Sequence, residues 1–397
     1  MQVIKHRMDL IWICLISLVV GVIIGAVDTL FGRVLLFLTD IRQDYFPFLI
    51  FFLAPVGVLF TYFFLKYGKT SSQGIGLIFD VGQQEQTEVP KRLTPFIIMG
   101  TWLTHLFGGS AGREGVAVQI GAAIAHQFAR FFKHLETSQF IVIGMAAGFG
   151  GLFGTPIAAT FFAMEVMVVG RLRYDVLLPS LLSAYVASMV SGALGLEKFE
   201  VALQVPITMS VVLFIKLILL GILFGLVGLL FSYGMKQAKA LFAHWFVNPL
   251  VRIGVVGVVL SLLFFLLWQG RYSGLGMNLI TASFTGGQVT SYDWLLKLVL
   301  TVLTVSVGFQ GGEVTPLFAI GATLGIIVAP ILGLPIILVA ALGYASVFGS
   351  ATNTLLAPIF IGGEIFGFEY LPYFVIVCGL AFLCNGNVSI YGKQKRM

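Results

Sequence analysis

Gly108 to Gly121 reads GGSAGREGVAVQIG and sets one carboxylate, Glu114, among glycines at the head of an apolar run. An ionisable group in such surroundings is costly, and in a membrane segment it marks a functional site by default. Glycines let backbone N–H groups approach a ligand closely. The combination suits a place where an anion and a proton meet, with Arg113 and Gly115 flanking the carboxylate. A second break, Gly311 to Pro316 (GGEVTP), carries Glu313, Val314 and Thr315. There Thr315-Pro316 reads as an N-cap followed by Pro at the first helical position. A helix N-terminus offers unsatisfied N–H donors and the positive end of the macrodipole. Two such ends would cradle a dehydrated anion without a fixed cation to trap it. The plainer reading is that both acids pair with Arg113 or cap backbone donors.

The elements that must hold these residues are membrane helices. The chain has 397 residues, 58% of them hydrophobic and only 10% charged, with mean hydropathy +1.02. That balance excludes a soluble fold and indicates an all-α polytopic membrane protein. The net charge of +6 is no nucleic-acid footprint. Its cations gather at the termini and in short loops, with Lys5 and Arg7 at one end and Lys393, Lys395 and Arg396 at the other. Both ends are therefore expected on the cytoplasmic side, with an even number of crossings. Met8 to Leu38 is too long for a cleaved signal peptide and reads as a span. Val211 to Ser232 is long enough for a tilted span, whereas Val116 to Ala129 and Leu317 to Ile327 are too short to cross alone. No linker separates soluble domains, so 1–397 is expected to be one transmembrane transport domain without a soluble regulatory domain.

The chain also repeats at a shift of about two hundred residues. Gly74-Ile75-Gly76 falls on Gly274-Leu275-Gly276, Gly112 on Gly312, Ile120-Gly121-Ala122 on Ile320-Gly321-Ala322, and Gly150–Glu165 on Gly349–Glu364. Ordered matches at nearly one offset, the last one residue out of step, indicate halves of roughly 1–205 and 206–397, with broken helices meeting near the midplane. An odd number of crossings per half would make the repeats inverted.

Four acids lie deep in apolar sequence: Glu114, Glu165, Glu313 and Glu364. Glu165 and Glu364 match under the repeat, and a symmetric packing role satisfying backbone donors suits them. Asp80, Glu85 and Glu88 read as loop residues, and Asp175, Glu197, Glu200 and Asp293 sit near polar breaks. Tyr391 is either an anion-facing phenol or an interfacial belt residue, and belt placement is the ordinary outcome. Three scattered cysteines and five scattered histidines offer no metal spacing and no disulfide framework. No cofactor, metal or nucleic-acid partner is expected.

In these motifs the chain resembles the CLC family of chloride channels and proton-coupled anion exchangers, over nearly its whole length. GREGV at Gly112–Val116 is similar to the family's GREGP, whose glutamate gates the pore and carries the proton; the resemblance assigns that role to Glu114. GGEVTP resembles the family's second pore motif, GGxFxP, and Tyr391 matches its pore tyrosine. GTPIAATFFAMEV at Gly154–Val166 resembles the segment after the first anion-binding helix. Three departures stand out. Ile75, between Gly74 and Gly76, replaces the serine that coordinates chloride. Val314 replaces the motif phenylalanine. Val166 stands where the family's inner proton glutamate would fall. These departures, with Glu313 and Thr315, resemble the fluoride/proton antiporter branch, in which the corresponding Glu and Thr belong to the proton route.

The resemblance implies a CLC-type fold of two inverted repeats and an antiporter exporting fluoride in exchange for protons. Its partners are fluoride, protons and the lipid bilayer, its state a homodimer, its place the bacterial inner membrane. Glu114 would gate, Glu313 and Thr315 would serve the proton route, and Gly74, Ile75, Gly76, Arg113, Gly115, Val314 and Tyr391 would line the anion path. A chloride/proton exchanger or passive anion channel of the same fold is the near alternative. An intramembrane enzyme would need a nucleophile–base pair or metal cluster, and no HExxH is present. A scaffold or receptor would not need acids at repeat-related helix breaks.

Overall fold

The computed structural model describes residues 2–132 and 135–396, with side chains from Met8 onward. Lys5, His6, Arg7 and His134 therefore lie outside the described side chains. The first half comprises α1 (Gln2–Leu49), α2 (Leu53–Gly68), α3 (Ile75–Gly82), α4 (Leu93–Leu106), α5 (Glu114–Ala129), α6 (Thr137–Phe153), α7 (Pro156–Glu165) and α8 (Leu177–Ala193). The second comprises α9 (Val211–Trp245), α10 (Pro249–Leu266), α11 (Met277–Thr285), α12 (Asp293–Ser306), α13 (Val314–Leu332), α14 (Ile336–Thr352), α15 (Leu356–Phe366) and α16 (Leu371–Cys384). The halves correspond helix for helix, and the non-helical segment 194–210 joins them. The short strands β1 (Val168–Val169) and β2 (Lys395–Arg396) pair in parallel and fasten the C-terminal tail under the first half.

Glycine decides how closely the central helices approach. A Cβ on Gly121 of α5 would overlap the carbonyl oxygen of Gly144 of α6, and a Cβ on Gly144 would overlap that of Gly121. In the second half Gly321 of α13 and Gly343 of α14 stand in the same relation. Small residues at such crossings let backbones touch, which is how membrane helices pack without a hydrophobic driving force between them. Most of the apolar residues on α5, α6, α13 and α14 are buried, so these helices form the inner layer. Helices α1, α2, α9 and α10 carry many exposed large apolar side chains and make the outer wall. Among the described residues, five segments are long and apolar enough to cross a bilayer, Met8–Gly82 and Val211–Trp245 among them.

Several boundaries differ from the sequence expectation. The first span is one 48-residue helix, interrupted only where Tyr45 leaves helical geometry ahead of Pro47. Helix α13 runs 19 residues, longer than its apolar core suggested. It begins at Val314 with Glu313 as its N-cap residue, so Thr315 and Pro316 lie inside the first turn. Asp80 is no loop residue: it lies in α3, is buried, and pairs with Lys393 at 3.2 Å. Asp293 is buried too, bound by Arg271 at 2.7 Å and by the Tyr272 hydroxyl at 2.7 Å.

Candidate anion and proton site

The two glycine breaks meet at the centre of the molecule. The Gly112 amide donates to the Gly312 carbonyl at 2.5 Å, and the Gly312 amide to the Gly112 carbonyl at 2.8 Å. This antiparallel bridge joins residues 200 apart and sets the first turns of α5 and α13 beside each other. Neither glycine has room for a side chain: a Cβ on Gly112 would stand 2.9 Å from Pro316 Cδ, and one on Gly312 3.0 Å from the Gly115 amide nitrogen.

Glu114 is the first residue of α5, yet its carboxylate serves α13. Its Oε2 accepts from the Thr315 amide at 3.2 Å and from the Thr315 hydroxyl in a short contact. The Arg113 amide donates to the same oxygen at 3.3 Å, and Arg113 Nε stands 3.7 Å from Oε1. The expected N-cap role of Thr315 is thus replaced: its hydroxyl reaches across the repeat to hold Glu114. Glu313 lies on the reciprocal side, its Oε2 3.9 Å from the position a Cβ on Gly115 would take, at the head of α5. Each repeat contributes a helix N-terminus and a carboxylate, and the carboxylate of one half sits at the N-terminus of the other. A carboxylate held there, among N–H donors, occupies the kind of place a free anion would take.

Tyr391 is buried, not interfacial. Its ring packs 5.3 Å from that of Phe79 and 6.3 Å, edge to face, from that of Phe162. Its phenol is within Coulombic reach of both Glu313 and Glu114. Val314 is buried in the first turn of α13. Gly74, Ile75 and Gly76 lie at the start of α3. A Cβ on Gly74 would touch Gln119 Oε1 at 3.5 Å, and one on Gly76 would touch Lys393 Cγ at 3.6 Å. The Gly-Ile-Gly turn therefore borders α5 and the tail below Tyr391, with an aliphatic side chain and no hydroxyl. Gly74 has φ +57°, a conformation glycine alone takes without strain.

Glu165 and Glu364 form a crossed pair of caps. Glu165, at the end of α7, accepts from the amides of Leu355, Leu356 and Ala357 at the start of α15, at 3.2, 3.2 and 2.9 Å. Glu364, in the last turn of α15, accepts from Ile157 and Ala158 at the start of α7, at 3.0 and 2.8 Å. The symmetric packing role expected of them is what the geometry displays. Val166, beside Glu165, is fully buried, and its carbonyl accepts from Gln394 of the tail at 2.8 Å.

Two further polar side chains were not singled out from the sequence. Asp28 of α1 is fully buried against Gly151, in Coulombic reach of Arg113 and Lys198. Its signal was present, an acid within VGVIIGAVDTLF. Gln119, one turn below Gly115, donates to the Gly115 carbonyl at 3.2 Å and faces Gly74. Among the described residues no group of His, Cys, Asp and Glu is arranged to hold a metal ion.

The family profile described as voltage gated chloride channel matches residues 53–386. The chain belongs to the CLC family. This CLC chain is 36% identical over 394 residues to a chloride/fluoride channel protein of Pseudomonas syringae pv. tomato, covering 97% of this chain and 86% of that one. It superposes on the crystal structure of a CLC-type fluoride/proton antiporter with TM-score 0.97 and 58% identity, covering 98% of this chain and 99% of the other. A slow cyanobacterial Cl−/H+ antiporter shares the fold at TM-score 0.80 and 19% identity, over 96% of each chain. The architecture is thus the CLC fold, a multi-pass membrane protein of two inverted repeats with broken helices meeting at the centre.

Proposed function

We propose that the protein exports fluoride in exchange for protons. The observation that carries this reading is the Glu114 carboxylate seated on the Thr315 amide and hydroxyl at the head of α13, in the position of an anion. Protonation cancels its charge and weakens that hold, which frees the donors for a fluoride ion. Fluoride, small and a strong acceptor, takes hydrogen bonds from the same groups and from a protonated Glu114. Proton uptake and anion passage are then alternatives at one place, which is the requirement for coupling.

Glu313 is the second carboxylate of the cycle. Val166 carries no titratable group, and its carbonyl accepts from Gln394. The position of Glu313 at the N-cap of α13, in charge interaction with Tyr391, supports its taking the proton on the tail side. Ile75 supports fluoride over chloride, since no hydroxyl at the Gly-Ile-Gly turn replaces the water that chloride would shed there. Similarity to the fluoride/proton antiporter of known structure supports the same reading. Two copies each carrying a complete pathway, both termini in the cytoplasm and residence in the plasma membrane complete the proposal.

The test is reconstitution in liposomes with fluoride and proton movement recorded together, and chloride as competitor. Fluoride-driven proton uptake is expected. Glu114→Gln abolishes it, and Glu313→Gln slows or stops exchange. Fluoride flux without proton movement, or preference for chloride, would sink the reading; wild-type rates in Glu313→Gln would remove that residue from the cycle.

A further inference from the structure

Five tyrosines are buried among the described residues: Tyr272, Tyr344, Tyr370, Tyr373 and Tyr391. Three of them bond the hydroxyl within the protein. Tyr272 donates to Asp293 at 2.7 Å, Tyr370 to the Leu203 carbonyl at 3.2 Å and Tyr373 to the Ile207 carbonyl at 3.1 Å. The hydroxyls of Tyr344 and Tyr391 have no hydrogen-bond partner among the described residues. Both of these tyrosines are in charge interaction with Glu114, Tyr344 together with Arg113 and Tyr391 together with Glu313. The two phenols therefore approach one carboxylate from different sides.

Tyr344, in α14, is 1% exposed. Its ring lies parallel to that of Phe318 of α13, with 4° between planes and 4.1 Å between centroids. The Phe199 ring stacks on it at 18° and 5.8 Å, and Phe366 meets it edge to face at 5.3 Å. These contacts fix the ring beside the helix whose head holds Glu114. Packing alone does not call for a hydroxyl here. Under the repeat shift Gly144-Met145 falls on Gly343-Tyr344, and Met145 fills its place as a fully buried apolar side chain. A buried polar group without a partner needs a ligand or an ordered water to explain it.

We propose that Tyr344 is a selectivity residue of the anion path, its hydroxyl donating a hydrogen bond to fluoride on the Arg113 side of Glu114. The proposal rests on the fluoride reading for the identity of the ion. A phenol offers one neutral O–H donor. It favours a small, strong acceptor without adding a fixed charge that would trap it. Chloride, larger and a weaker acceptor, gains less from the same group. When protonated Glu114 leaves the Thr315 donors, the ion that replaces it meets this O–H on its way past Arg113.

Tyr344→Phe removes the oxygen and keeps the ring between its neighbours. In liposomes carrying the full chain, initial fluoride flux is measured against fluoride concentration, with chloride as competitor. The variant is expected to raise the fluoride KM about tenfold and to leave chloride inhibition within about twofold. Tyr344→Met, the residue of the other repeat, loses the same preference. The Tyr344 hydroxyl bonds nothing in the protein, so Tyr344→Phe leaves the unfolding temperature in detergent unchanged. Tyr370→Phe, which breaks the hold on Leu203, lowers it. An unchanged fluoride KM and preference overturn the proposal. A lowered unfolding temperature with transport unchanged also overturns it, assigning the hydroxyl to a structural water. The rise in unfolding temperature with sodium fluoride, measured against sodium gluconate at equal ionic strength, reads binding without transport. A rise that Tyr344→Phe loses supports the phenol donor even if the unmodified protein couples no protons to fluoride, a result that would defeat the antiport reading alone. An equal rise in both forms overturns the donor.

Discussion

Thr315 is the residue on which the two halves of the site depend. Its amide and hydroxyl both donate to Glu114 Oε2, the hydroxyl adding a side-chain donor to the backbone one. A hydrogen bond to a charged group is worth about 1.5–3 kcal/mol. Thr315→Val keeps the shape and the amide but removes the hydroxyl, so Glu114 is held less firmly at the head of α13. Coupled exchange is expected to change by about tenfold or more, with part of the fluoride flux escaping from proton movement. Parallel fluoride and pH electrodes on one liposome sample read this directly, and a wild-type ratio would show that the amide alone suffices. The same residue shows what residue-level reading misses. Thr315-Pro316 has the composition of an N-cap, but helix α13 starts two residues earlier, at Val314, and the hydroxyl is used elsewhere. Tyr391 reversed for a similar reason: its tail folds back under the molecule through β1 and β2, so a phenol next to a basic end becomes a buried side chain.

At the scale of elements, α7 and α15 are locked by exchanged caps. Each helix ends in the carboxylate that satisfies the other's first amides, which removes orphan donors from both N-termini at once. Truncating either acid leaves buried N–H groups unpaired, a loss of about 1–3 kcal/mol. Glu165→Ala and Glu364→Ala are therefore expected to lower the unfolding temperature in detergent by similar amounts, while fluoride-over-chloride preference stays as in the unmodified protein. A selectivity change without a stability change would move the pair from packing to transport. The matching positions were visible in the sequence under the repeat shift. Which amides each acid meets was not, because the partners are about 190 to 207 residues away.

For the whole molecule, the C-terminal tail is a strap across the face that holds Tyr391. Lys395 bound to Glu85 holds that carboxyl below the usual carboxylate range, chiefly through their hydrogen bond and then through charge. A depressed folded value means the pair contributes above the unfolded value, about 4.3, and is lost as pH falls through the folded one. The tail is therefore expected to stay fastened at neutral pH and to loosen only in strong acid. Hydrogen exchange at residues 391–396, corrected for the intrinsic rate, checks this; Glu85→Gln should bring the loosening to neutral pH. Loosening of the unmodified tail already near pH 6 would point to another titrating group.

The sequence alone determined that the chain lives in a membrane, that it is a doubled unit, and that Glu114 and Glu313 sit at matched breaks. Those properties are local: apolarity, glycine placement and a repeating order are written along the chain. Even the CLC resemblance rests on short ordered motifs. Only the tertiary structure decided that Glu114 serves the opposite half, that Tyr391 is buried, and that Asp28 joins Arg113 in the interior. It also decided which cations of the tail are neutralised, Lys393 by Asp80 and Lys395 by Glu85. These depend on contacts between residues 200 apart, such as the Gly112–Gly312 bridge. Such pairing is fixed by close backbone packing at glycines, a fit in three dimensions that no local pattern encodes.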